Sequence, residues 1–262
     1  MNPKAIIQSA QNSMVKHAYS LKVPKKAKES EDFLCEGFHL AVEAQKSGIH
    51  MRFIFATKEA WDSPEGQRIE QTAHREKTKM FEAPSKIIAY MSDTVTPQGM
   101  VAVAKKTEMA WPAEDARLLL GLCQIQDAGN LGTILRSAEA FGARGVFLTE
   151  GTCDPFNPKV VRASMGSLFR IPLMQGLPWQ DYGRWAGEKK ITMAGLAGKG
   201  EKSLLEVDRS QPVLLWVGSE GGGLPVDLME ACAVRVKIPM AGPTESLNAA
   251  VAASVALFYY SA

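Results

Sequence analysis

The chain has 262 residues, 46% of them hydrophobic and 22% charged, a globular composition that excludes disordered and collagen-like classes. No apolar run reaches a membrane-spanning length and residues 1–20 lack a signal-peptide core, so the sequence reads as a cytoplasmic protein with no membrane partner. Charge is uneven: residues 1–106 hold 16 Lys and Arg against 12 Asp and Glu, whereas residues 107–262 hold 14 against 16.

The predicted elements begin with a helix around residues 8–21. Lys4, Lys16, Lys22, Lys25, Lys26 and Lys28 all precede the first acidic residue, Glu29, so the leading segment presents a basic face suited to phosphates. LKVPKKAKES then reads as a charged, proline-containing loop. FLCEG, FHLAVEAQKSG and IHMRFIFAT follow as strand, helix and strand. A polar helix over residues 64–76 leads to KTKMFEA, a short helix near SKIIAYMS, and the apolar GMVAVAKK. Residues 1–106 thus form a small α/β domain.

KKTEMAWPAE, residues 105–114, is charged, contains Pro112 and separates two apolar strand candidates. The domain boundary is placed there, giving domains 1–106 and 107–262. Strand-like runs then recur at RLLLGLCQI, GVFLT, LFRIPL, KKITMAGL, PVLLWVG and VRVKIPM, with helical stretches between most of them. That alternation predicts an α/β fold with a mostly parallel sheet covered by helices.

Three loops of the second domain follow predicted strand ends, where open α/β sheets hold their ligands. In QDAGNLGTILRSAEAFGA, residues 126–143, Asn130 suits a helix N-cap and places Arg136 in the second turn, on one face with Gly132 and Glu139. An Arg136–Glu139 surface pair is the plain structural alternative. VLLWVGSEGGGLP, residues 213–225, ends a buried strand in Gly218 and runs three glycines past Glu220, a pattern that lets a ligand approach the main chain. It contains neither GxGxxG nor a Walker sequence, which disfavours nicotinamide and P-loop enzymes. VKIPMAGPTESLNAAVAASVALFYY, residues 236–260, carries Ser246 and Asn248 at a helix entry, where either caps the helix or holds a polar group. NPKVVRASMGSLFRIP, residues 157–172, adds Arg162, Ser164 and Gly166 to the same side.

Absences narrow the chemistry further. Cys35, Cys123, Cys153 and Cys232 lie far apart with no CxxC pair and read as free thiols. His17, His39, His50 and His74 all belong to the first domain, so the second offers no Ser-His-Asp triad and no histidine metal ligands; no metal is expected.

Taken in order, N-x-G-x-x-x-R at Asn130, Gly132 and Arg136, then GSEGGGLP, then IPMAGPTESLNAAVA resemble the SpoU, or TrmH-like, branch of the SPOUT RNA methyltransferases. The resemblance covers approximately residues 115–262, and the N-terminal part is similar to the ribosomal-protein-like RNA-binding domain that often precedes it. It implies a trefoil-knotted SPOUT fold, a homodimer whose partner helps to complete the site, and S-adenosylmethionine held by the second and third motifs. Gly218, Ile238 and Leu247 match backbone positions around that cofactor, with Gly195, Glu220, Gly221, Met240, Ser246 and Asn248 nearby. Two departures stand out. SLNAAVA replaces the common SLNVSVA at Ala249 and Ala250, removing a hydroxyl that caps or contacts ligand, which is expected to weaken cofactor binding without abolishing it. Arg162 stands where lysine is common.

The implied reaction is displacement at the sulfonium methyl by a ribose 2′-oxygen, with ribosomal RNA preferred over tRNA as substrate. The implied catalytic set is Arg136, Asn130, Glu220, Ser246 and Asn248. Arginine is a poor base, so Arg136 is expected to orient the hydroxyl and steady developing oxyanion charge, and either a phosphate or Glu220 takes the proton. Asn130 positions the ribose. The competing class is a noncatalytic RNA-binding or ribosome-assembly protein that keeps the fold, and cofactor binding with methyl transfer discriminates between the two.

Overall fold

The computed structural model describes residues 4–106, 110–113, 115–198 and 200–261, so 107–109 and 114 of the segment read as a linker lie outside the described residues. The described residues divide into two compact units, one within Met1–Thr107 and Asp154–Phe169, the other within Glu108–Cys153 and Arg170–Ala262.

In the first unit, β1 (Ala5–Ile6) is followed by α1 (Ser13–Ser20), α2 (Pro24–Glu29), β2 (Asp32–Glu36), α3 (Phe38–Lys46), β3 (Met51–Ala56), α4 (Lys58–Asp62), α5 (Pro64–Arg75), β4 (Lys79–Glu82), α6 (Ser85–Met91) and β5 (Met100–Lys105). The sheet order is β1-β4-β3-β5-β2, with β5 antiparallel to both neighbours. Val15, Ala18, Ile87, Ile88 and Met91 pack with Phe55, Phe81, Val101 and Val103, which places α1 and α6 over one core. The expected loop LKVPKKAKES contains α2 instead, because Pro24 occupies the first helical position, where its fixed φ favours the helix and its missing N–H costs nothing.

In the second unit, β6 (Leu118–Leu122), α7 (Ala128–Ala140) and β7 (Val146–Thr149) lead the chain. Asp154–Phe169 then clusters with the first unit, where Pro158–Ser164 forms α8 and Phe156 and Phe169 pack on Phe33 with ring centroids 5.1 and 5.7 Å away. The second unit resumes with β8 (Leu173–Leu177), α9 (Trp179–Glu188), β9 (Thr192–Leu196), β10 (Lys202–Ser203), β11 (Val213–Val217), α10 (Val226–Ala231), β12 (Val234–Lys237) and α11 (Ala249–Ser261). Its strand order is β10-β12-β9-β11-β6-β7-β8, and every pairing is parallel. β6 and β11 are buried at every residue, as a sheet covered on both faces requires. The expected strand LFRIPL starts late, at Leu173, because Ser167–Phe169 is taken up by a 3-10 turn.

Two packing details fix this unit. A Cβ at Gly121 would lie 2.3 Å from the Trp216 ring, so glycine on β6 lets the fully buried indole of β11 lie across its neighbour. On the other side α7 and α11 pack together, joined by Ser137 Oγ and Ser254 Oγ at 2.7 Å.

Candidate active site

Asp127, rather than Asn130, caps α7: its Oδ1 accepts the Asn130 backbone N–H at 2.8 Å, and the helix begins at Ala128. The earlier start moves Arg136 to the third turn. It also frees the Asn130 side chain, whose Nδ2 donates to Glu220 Oε1. Asn248 Nδ2 donates in turn to Asn130 Oδ1 at 3.1 Å, while Asn248 Oδ1 accepts the backbone N–H groups of Ala250 and Val251 at 2.9 and 3.3 Å. Asn248 therefore caps α11, and one hydrogen-bonded chain ties together all three predicted loops. Because Asn248 already satisfies the Ala250 amide, the missing hydroxyl at position 250 costs the helix no cap.

The glycine loop closes on itself. Ser219 N–H donates to Gly223 O at 3.2 Å and Gly223 N–H to Ser219 O at 2.9 Å. A Cβ on Gly218 would lie 2.0 Å from the Gly223 carbonyl carbon, and Gly223 has φ +64, so both ends of the turn need glycine. Around Gly221 the space a Cβ would occupy is open.

The glycine loop and the segment leading into α11, with the end of β9, enclose a cavity of about 650 Å³ at the C-terminal ends of the parallel strands, a normal size and place for a small-molecule site. Gly218, Glu220, Gly221, Ile238, Met240, Ser246 and Leu247 line it, whereas Asn248, which the resemblance placed beside the cofactor, does not. Gly195 does not line it: a Cβ there would meet Met229 Sδ at 2.9 Å and Cys232 Sγ at 3.2 Å, so glycine makes room for α10 and the residue after it. Leu196, Ala197 and Gly198, just beyond, supply that wall instead. Of these only Leu196 falls within the strand-like run KKITMAGL; Ala197 and Gly198 carry no signal in the sequence. Burial pushes the Cys232 thiol up to about 11, so it is a neutral packing group rather than a nucleophile.

Arg136 stands apart from the cavity lining. It is exposed and forms no hydrogen bond or ion pair among the described residues. The surface pair with Glu139 is not made, since Glu139 Oε2 accepts from Arg170 Nη2 at 3.0 Å. Arg162, which the sequence grouped with the three loops, finds its partners in the first unit: Nη1 donates to Glu36 at 3.0 Å and Nη2 to Asp93 at 2.9 Å. Buried Ser164 donates to Val161 O on its own helix.

Residues 117–258 match the model of the SpoU rRNA Methylase family, and residues 12–102 match the MRM3-like substrate binding domain. A Bacillus subtilis protein named 23S rRNA (guanosine-2′-O)-methyltransferase RlmP is 33% identical, over 97% of this chain and 98% of its own. An uncharacterized tRNA/rRNA methyltransferase of Synechocystis is 34% identical, over 97% of this chain and 92% of its own. The crystal structure of an AdoMet-bound rRNA methyltransferase from Sinorhizobium meliloti superposes with a TM-score of 0.86 at 30% identity, covering 97% of this chain and 96% of that one.

Proposed function

The chain belongs to the SpoU rRNA methylase family, and from that premise we propose that it transfers the methyl group of S-adenosylmethionine to a ribose 2′-hydroxyl of ribosomal RNA. The observation that carries the reading is the chain of hydrogen bonds from Asn248 through Asn130 to Glu220 beside a preformed cavity.

The cavity suits this cofactor. Leu196, Val217, Ile238 and Leu247 offer apolar walls to a purine, and Ser219, Glu220, Ser246 and the glycine-loop backbone offer polar groups to its ribose and amino-acid ends. When bound, S-adenosylmethionine supplies a methyl carbon made electrophilic by a sulfonium. The chain's own residues do the positioning. Asn130, held at both ends of its amide by Glu220 and Asn248, keeps a fixed geometry beside Glu220 of the cavity wall. Glu220 orients that amide and offers a carboxylate to the proton leaving the hydroxyl. Ser246 contacts ligand from the cavity wall. Arg136, without a hydrogen bond or ion pair among the described residues, is available to bind the phosphate and 2′-oxygen of an incoming nucleotide. The first unit, with its excess of basic residues, grips the RNA.

Gly218 provides a test of the cofactor assignment in the full-length chain. Gly218→Ala forces the added methyl into the Gly223 carbonyl and opens the loop. Calorimetry is expected to show S-adenosylmethionine affinity falling by about tenfold or more, roughly the 1–3 kcal/mol of an overpacked site. Unchanged affinity in a folded variant would move the cofactor elsewhere.

The site is proposed to work in a homodimer. Val251, Val255 and Phe258 recur at helical spacing on α11 and are 49%, 39% and 59% exposed, an apolar stripe of the kind that marks an interface. Dimerisation through α11 would bring its packing partner α7, and with it Arg136, to the interface. Phe258→Asp is expected to give a monomer in sedimentation at concentrations where the parent is dimeric, with methyl transfer lost alongside. A parent that sediments as a monomer would remove the dimer from the account. The return of the chain from β12 past the glycine loop to α11 on α7 supports the threaded segment of a trefoil knot. Among the described residues no helix is long and apolar enough to cross a membrane, and a ribosomal RNA substrate fits a cytoplasmic enzyme.

A further inference from the structure

The first unit carries an exposed aromatic pair inside a basic cluster, remote in sequence from the cavity motifs. Tyr19 on α1 and Tyr90 on α6 stack with ring centroids 4.3 Å apart and planes 9° apart, and they are 38% and 40% exposed. Neither hydroxyl makes a hydrogen bond among the described residues, and the core cluster contains Val15, Ala18, Ile87, Ile88 and Met91 without the two rings. Lys22 braces the pair: its Nζ lies 5.1 Å from the Tyr19 centroid and donates to Tyr90 O at 3.1 Å.

The two helices that carry the rings are basic. Exposed Lys16 precedes Tyr19 by three residues and exposed Lys86 precedes Tyr90 by four, which puts each lysine on the face of its helix that carries the ring. Neither α1 nor α6 contains an acidic residue. The neighbouring carboxylate of Asp32 is occupied by His17 at 2.8 Å and by Arg52 at 2.5 Å. Aromatic rings amid lysines that make no ion pair among the described residues complement a base with its flanking phosphates, whereas a protein partner of ordinary apolar or basic character would gain nothing from the lysines.

Building on the reading of the chain as an RNA methyltransferase, we propose that Tyr19 and Tyr90 form a stacking platform for an unpaired base of the RNA substrate, with Lys16, Lys22 and Lys86 holding the adjacent phosphates. The platform binds without reading sequence, because every base presents a π-face. It adds an anchor for a single-stranded stretch, separate from the nucleotide that is methylated.

Fluorescence anisotropy of the full-length chain with a short fluorescein-labelled single-stranded RNA of mixed sequence, and with its perfect duplex, tests this at matched ionic strength. Tyr90→Ala and Tyr19→Ala are expected to weaken single-strand binding by about tenfold and to leave the duplex nearly unaffected, while Tyr90→Phe binds like the parent. Lys22→Gln is expected to lower the slope of log affinity against log salt by about one. Ultraviolet cross-linking of the parent to the same RNA is expected to label peptides containing Tyr19 or Tyr90, a result independent of any variant's folding. Alanine variants that bind the single strand like the parent, an equal loss on single strand and duplex, or cross-links confined to other peptides would overturn the platform while leaving the methyltransferase reading intact. A parent that binds neither RNA would overturn both.

Discussion

Arg136→Ala is expected to lower single-turnover methyl transfer by about two orders of magnitude or more, the scale seen when a preorganised oxyanion donor is removed. Stability should hardly move. A surface ion pair is worth about 1 kcal/mol or less, and Arg136 makes none among the described residues, where Glu139 is engaged by Arg170. S-adenosylmethionine affinity should also persist, because Arg136 does not line the cavity. Arg136→Lys is expected to be impaired as well, for a point charge cannot reproduce the planar fork that spans a phosphate and a hydroxyl. Labelled-methyl transfer under single turnover, beside thermal melting and calorimetry, separates these quantities. Near-normal transfer by a well-folded Arg136→Ala protein would remove the arginine from catalysis.

The second large effect is expected at Asn130. Asn130→Asp keeps the size of the side chain and can still accept from Asn248, but it cannot donate to Glu220 and sets two carboxylates in hydrogen-bonding range. Repulsion should displace the glycine loop, and a misplacement of that order costs about a hundredfold in rate. The defect carries a pH signature. Two carboxylates that share a site raise the apparent affinity of the pair for a proton, so lowering the pH places one proton between them and restores the lost hydrogen bond. Transfer by Asn130→Asp, relative to the parent, is therefore expected to recover as pH falls, while Asn130→Ala, which has nothing to protonate, stays flat. Parallel pH profiles for the two variants would show that Asn130 acts through bulk alone.

The sequence disclosed the parallel sheet because strands buried on both faces are continuous apolar runs, as in LLLGL of β6 and VLLWV of β11. It disclosed the cavity walls because glycine runs and helix entries at strand ends carry local signals. It misplaced the cap of α7 because Asp127 and Asn130 are both good capping residues three positions apart, and only the Asn130 contacts to Glu220 and Asn248, 90 and 118 residues away, decide between them. No local pattern tells that Asp154–Phe169 packs with the first unit. That placement comes from Phe33 receiving Phe156 and Phe169, and from Arg162 pairing with Glu36 and Asp93. Gly195 was legible as special, but glycine beside Met229 and Cys232 serves packing, and from sequence that is indistinguishable from glycine beside a ligand.

The measurement that bears most directly on the central claim is transfer of isotope-labelled methyl from S-adenosylmethionine to ribosomal RNA by the full-length chain, followed by nuclease digestion and mass spectrometry of the nucleosides. The account predicts label on the ribose 2′-oxygen of one nucleotide, absent from the same RNA treated with the Arg136→Ala protein. Label on a base, or no transfer by a chain that binds both cofactor and RNA, would contradict it.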